Sequence, residues 1–106
     1  MSINDMHTKL IRFTFQGKYI PMSMHGGIMR YLEKHIPPGD FLSAIISNDL
    51  KRACQAADDT NLWLIPVYTA FFYNYAPSDC WGSKEKLDRW LSLREVSNEQ
   101  AVGDLS

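Results

Sequence analysis

Two side chains in this sequence have chemistry that their surroundings could tune, the thiol of Cys80 and the carboxylate of Asp49. Cys80 stands just ahead of Ser83, a residue suited to cap a helix, and the free N–H groups and positive end of such a helix favour a thiolate. A nucleophile also needs an activating base, and no histidine lies near Cys80 in the sequence. The competing reading is a thiol packed beside Trp81. Asp49 falls almost over Leu42 if one continuous helix begins at Phe41, because each helical residue turns the chain by about 100°. A carboxylate in an apolar stripe needs a cation, and Arg30, Lys51 and Arg52 are the candidates. A helix break at Ser47–Asn48 would remove the conflict. A catalytic role for Cys80 or Asp49 therefore stands as the weakest of the functional readings. His7, His25 and His35 are scattered, and neither Cys54 nor Cys80 stands in a Cys-x-x-Cys pattern. No metal site and no cofactor is expected from such spacing.

The binding candidates are polar and aromatic. Asn48 and Asp49, with Asp58, Asp59 and Asn61 further on, offer carboxylates and amides to a polar ligand, although Asx residues between helices commonly serve the backbone instead. Tyr68, Phe71, Phe72, Tyr73, Asn74 and Tyr75 form a belt too wide for one helix face, so Tyr73 and Asn74 are expected to point outward. Near Trp81 such a pair can stack on a nucleobase or anchor a protein partner. Lys84, Lys86 and Arg89 alternate with Glu85 and Asp88, the pattern of a solvated helix face. Lys9, Arg12 and Lys18 are too few to indicate nucleic-acid binding.

The elements that must position these groups follow from periodicity and breakers. Residues 9–15 alternate after Leu10, and Gln16–Gly17 offers a two-residue turn into Lys18-Tyr19-Ile20, which predicts a hairpin over about 9–20. Pro21 closes it. Ser23 can cap a helix with Met24, Ile28, Tyr31, Leu32, His35 and Ile36 on one face, its first turn weakened by Gly26 and Gly27. Pro37-Pro38-Gly39 breaks the chain, and Asp40 caps a second helix with a stripe through Leu42, Ile45, Ile46, Leu50, Ala53 and Ala57. A third helix, starting near Leu64 or Ile65 because Pro66 suits a first turn, carries Val67, Tyr68, Phe71, Phe72 and Tyr75. Ser83 opens a fourth, with Leu87, Trp90 and Leu91 inward. The expected fold is mainly α (α+β): a short N-terminal β-hairpin followed by a compact bundle of about four helices. A single domain is expected over 1–94, its helical part from about 23, with 95–106 as a polar, flexible tail.

Composition narrows the classes. The chain has 106 residues, 45% of them hydrophobic, enough for one core, and a net charge of −1 that indicates no general affinity for polyanions. Residues 1–53 hold seven Lys or Arg against four acids, and residues 54–106 four against eight, a modest polarity that could steer a charged partner. Two cysteines are too few for a disulfide framework and no signal peptide is evident, so a cytosolic setting is expected. The run from Leu62 to Tyr73 is too short for a membrane span and is broken by Pro66.

Several stretches together resemble a group of short bacteriophage and prophage proteins without an assigned activity. They are Gly27-Ile28-Met29-Arg30-Tyr31-Leu32-Glu33, Ile36-Pro37-Pro38-Gly39-Asp40-Phe41-Leu42, Asn48-Asp49-Leu50 with Ala53, and Ala57-Asp58-Asp59 with Asn61. Tyr73-Asn74-Tyr75-Ala76-Pro77, Cys80-Trp81-Gly82-Ser83 and Trp90 extend the likeness over about residues 24–92. The resemblance implies a phage origin, a setting in the host cytoplasm, and a role for Asn48, Asp49, Trp81 and Ser83 beyond capping and packing. With no catalytic motif, the expected function is binding, most directly inhibition of a host defence or metabolic protein. Arg30, Asn48, Asp49, Tyr73, Asn74, Trp81 and Ser83 are the candidate contact residues. The alternative is an oligomeric sponge for a nucleotide-type signal. The hairpin lies outside the resemblance and offers an edge for a homodimer.

Overall fold

The computed structural model describes residues 3–105, with side chains described for 5–94. Helix α1 (Ile3–Arg12) is followed by strands β1 (Thr14–Phe15) and β2 (Lys18–Tyr19), then by α2 (Met22–Lys34), α3 (Asp40–Ile46), α4 (Leu50–Ala56), α5 (Asp59–Leu62) and α6 (Ile65–Tyr75). A 3₁₀ turn (Ser78–Cys80) leads into α7 (Lys84–Leu105). The architecture is mainly helical with a short antiparallel hairpin, but it holds seven α-helices among the described residues where about four were expected. The expected tail, 95–106, lies outside the residues whose side chains are described, and its backbone continues α7 as far as Leu105.

The first correction is at the N-terminus. Residues 9–12, read as strand from their alternation, are helical because a longer period starts upstream: Met6 and Leu10 are buried four residues apart and Phe13 packs behind them. Asp5 in the first turn and Lys9 and Arg12 in the last complement the helix dipole. The hairpin is thus reduced to two residues per strand, pairing Thr14 with Tyr19 and Phe15 with Lys18. Its turn is where expected, with Gln16 and Gly17 both at positive φ (56° and 74°), the conformation that a tight two-residue connection requires.

The second correction concerns caps. Pro21, not Ser23, precedes α2, and Gly39, not Asp40, precedes α3; neither supplies a side-chain bond. The third concerns the segment from Phe41 to Ala57, which is two helices. Asn48 adopts φ 63°, ending α3, and Asp49 caps α4 by accepting from the Arg52 N–H at 3.1 Å. The short helix α5 adds a further element, capped by Asp58, whose carboxylate accepts from the Asn61 N–H at 2.7 Å.

Helix α6 is the hub. Pro66 sits in its first turn, and Val67, Tyr68, Phe71 and Phe72 are buried. Phe71 meets Phe13 with ring centroids 5.7 Å apart, Tyr68 meets Phe41 at 5.1 Å, and Phe72 meets Trp81 at 6.1 Å. These contacts bind the N-terminal segment, α3 and the loop before α7 to one helix. Polar ties lock the rest: Tyr31 donates to the Cys80 carbonyl (2.5 Å), Trp90 Nε1 to the Tyr31 carbonyl (2.8 Å), and the Gly82 N–H to the Ile46 carbonyl (2.6 Å). Among the described residues no helix is long and apolar enough to cross a membrane.

Candidate functional site

The kink between α3 and α4 brings Asn48 and Asp49 to the surface beside α6. They line a recess of about 40 Å³ with Leu50, Ile65 and Thr69, floored by Ala44, Ile45 and Ala53. Asn48 is exposed and Asp49 half-buried. Asp49 reaches no described cation at ion-pair distance; its bond is to the backbone of α4, so the paired, buried carboxylate considered for it is replaced by a helix cap. The recess admits a water-sized group and nothing like a drug-sized ligand, which needs a few hundred Å³.

Tyr73 stands one turn beyond Thr69 on the same side of α6, and is 76% exposed; Leu50, on the opposite wall, is 65% exposed. The result is a face with two uncovered apolar side chains around a polar kink. The other predicted residues divide differently. Asn74 turns back on its own helix, donating to the Ala70 carbonyl at 2.7 Å. Ser83 accepts from the Lys86 N–H at 3.1 Å as the cap of α7. Trp81 is half-buried against Phe72, and its neighbour Gly82, at φ 110°, fastens that loop to the end of α3. Arg30 is exposed on α2 with its guanidinium lying over Gly26 of the same helix.

Cys80 is fully buried, and burial, followed by the nearby Asp79 charge, pushes its thiol up to about 12. That is the reverse of the activation expected from a helix N-terminus, because desolvation of the thiolate outweighs the dipole. Burial likewise raises the Tyr31 and Tyr68 phenols well above their ordinary range. Among the described residues no group of His, Cys, Asp and Glu side chains could hold a metal ion.

No protein-family model, curated protein or solved structure matches this chain. Its surface must therefore be judged on its own chemistry.

A second face went unnoticed in the sequence. Trp63 is 71% exposed, Tyr19 66% and Met22 79%, with Phe15 partly uncovered. The hairpin leans across the α5–α6 junction and leaves a cleft on either side. One, of about 370 Å³, is lined by Lys18, Tyr19, Pro21, Thr60 and Leu64; the other, of about 180 Å³, by Phe15, Lys18, Trp63, Pro66 and Val67. Trp63 caps the C-terminus of α5 and lies outside α6, so the period of that helix carries no signal for its exposure. Two buried polar residues were also missed. His25 Nε2 lies 2.9 Å from the Ile20 carbonyl, and Asn61 accepts from the Tyr68 hydroxyl at 2.6 Å. Nothing local marks either as internal.

Proposed function

We propose that this is a small phage-encoded accessory protein that acts by occupancy, binding a host protein and inhibiting a defence or metabolic factor. The observation that carries this reading is the α4–α6 face, where exposed Tyr73 and Leu50 flank Asn48, Asp49 and Thr69. Uncovered aromatic and aliphatic anchors within a polar frame are the makeup of interfaces that form between separately folded partners. The resemblance to short phage proteins suggests the setting, a partner in the host cytoplasm.

A second reading, sequestration of a nucleotide-type signal, is favoured by the larger hairpin cleft, where Lys18 and Tyr19 offer one cation and one stacking surface. Its remaining walls include Pro21 and Leu64, and a single lysine is a thin match for a phosphate chain. This ranks it below protein binding.

The discriminating experiment is affinity capture of the tagged chain from a lysate of phage-infected bacteria, with both proteins and small molecules identified by mass spectrometry. A stoichiometric host protein that Leu50→Ser and Tyr73→Ala each lose supports the inhibitor. A co-eluting nucleotide with no protein would replace it by the second reading.

A further inference from the structure

Taking the α4–α6 face as the docking surface proposed above, we infer that its recess receives a lysine side chain of the host partner, with the ammonium held at Asp49 and the methylene stem lying on Leu50. Asp49 is half-buried, and its carboxylate accepts one hydrogen bond among the described residues, from the Arg52 N–H. No described cation stands at ion-pair distance from it. A carboxylate partly withdrawn from water is stabilised by an opposite charge and further donors, and here the chain leaves both to be supplied from outside.

Size, hydrogen-bonding capacity and wall chemistry select the occupant. The recess holds about 40 Å³, room for one water-sized group. A compact ammonium has that size, and a planar guanidinium does not. An ammonium also carries three donors and no acceptor. Three side-chain oxygens border the recess to receive them: those of the Asp49 carboxylate, the Asn48 amide and the Thr69 hydroxyl, which gives its own hydrogen to the Ile65 carbonyl at 3.0 Å and is left to accept. The rest of the lining, Ala44, Ile45, Leu50, Ala53 and Ile65, is aliphatic, the kind of surface along which a lysine stem packs while its charged head stays at a polar rim. Tyr73, one turn beyond Thr69, is exposed and offers its ring to the same cation. Lys51 and Arg52 follow Asp49 on α4, but both are exposed, so water and salt screen their repulsion of the incoming charge.

Titration of the full chain against the host protein captured from infected cells tests this. Asp49→Asn keeps a capping side chain of the same shape and removes only the charge, so the melting midpoint is expected to hold while affinity falls by about ten-fold or more. Glu85→Gln on α7, an equal change in net charge at an exposed position, leaves binding intact. Carbodiimide treatment of the wild-type complex, which condenses a carboxylate with an amine in contact with it, joins Asp49 to one lysine of the host protein, identified by mass spectrometry, and replacing that lysine by methionine loses the same affinity. Undiminished binding by Asp49→Asn, coupling of Asp49 to no lysine, or a host arginine or hydroxyl required in its place would each overturn the inference. If Tyr73→Ala and Leu50→Ser still lose the complex in that event, the α4–α6 face remains the docking surface without the lysine; a chain that captures no host protein loses both.

Discussion

Asn61→Ala removes one amide from the surface-to-core junction of α5, and its consequence can be worked from the contacts. Asn61 is buried, and its side-chain oxygen is the acceptor for the Tyr68 hydroxyl at 2.6 Å; Tyr68 itself is fully buried at the centre of α6. The Asp58 cap would survive, since it receives the backbone N–H of residue 61 and not its side chain. Truncation therefore strands a phenol hydroxyl in the core, at a cost of about 1–3 kcal/mol. For a domain of this size each kcal/mol lowers the melting midpoint by about 4–8 °C, so the loss is roughly 5–20 °C. Circular dichroism melts, with urea titration for the free energy, read this directly. Tyr68→Phe strands the opposite partner, and the double variant removes both groups, so its cost falls short of the sum by about 1 kcal/mol. A loss below about 0.5 kcal/mol for Asn61→Ala, or strict additivity in the cycle, would refute the claim that this bond fastens α5 to α6.

Other perturbations probe separate parts of the structure. Exposed Cys54 should react with a thiol reagent at pH 8 within the folded chain while buried Cys80 stays unmodified, and both should react in denaturant; labelling of Cys80 under native conditions would contradict its burial. Alkali should destabilise the fold. Because Cys80 is held neutral up to about 12 and both phenols are raised in the same sense, the stabilisation is complete below the unfolded-state values of about 8.5 and 10 and is lost as pH climbs past them. The midpoint should fall steadily above pH 9, and a midpoint unchanged to pH 11 would refute it. Gly26→Ala should stabilise the protein by about 0.5–1 kcal/mol, since the only crowding a methyl meets there comes from the movable tip of Arg30; a lower melting midpoint would show that the glycine serves packing.

The legible parts of this fold are those determined within a few residues. The Gln16–Gly17 turn, the first-turn placement of Pro66, the caps at Asp58 and Ser83, and the aromatic stripe of α6 all follow from local chemistry. Helix α1 did not, because the alternation after Leu10 matches a strand and only the burial of Met6 in the core, on a segment that packs on α2 and α6, decides for a helix. The α3–α4 break was legible as a conflict rather than as an answer: Asp49 could not share a face with Leu42 at low cost, and the chain resolves it with Asn48 in the left-handed region. At the candidate site, Asn48, Asp49 and Tyr73 were found from residue type, and their grouping with Leu50 and Thr69 required the fold. Trp63 was lost inside an apolar run, and the inward course of His25 and Asn61 depends on partners distant in space.

The measurement that bears most directly on function is the affinity of the captured host protein for the purified wild-type chain and for Tyr73→Ala and Leu50→Ser, by isothermal titration. Binding through the α4–α6 face predicts a one-to-one complex weakened by about 2 kcal/mol or more, some 30-fold, by Tyr73→Ala, with melting midpoints unchanged. Equal affinity for all three chains would contradict it.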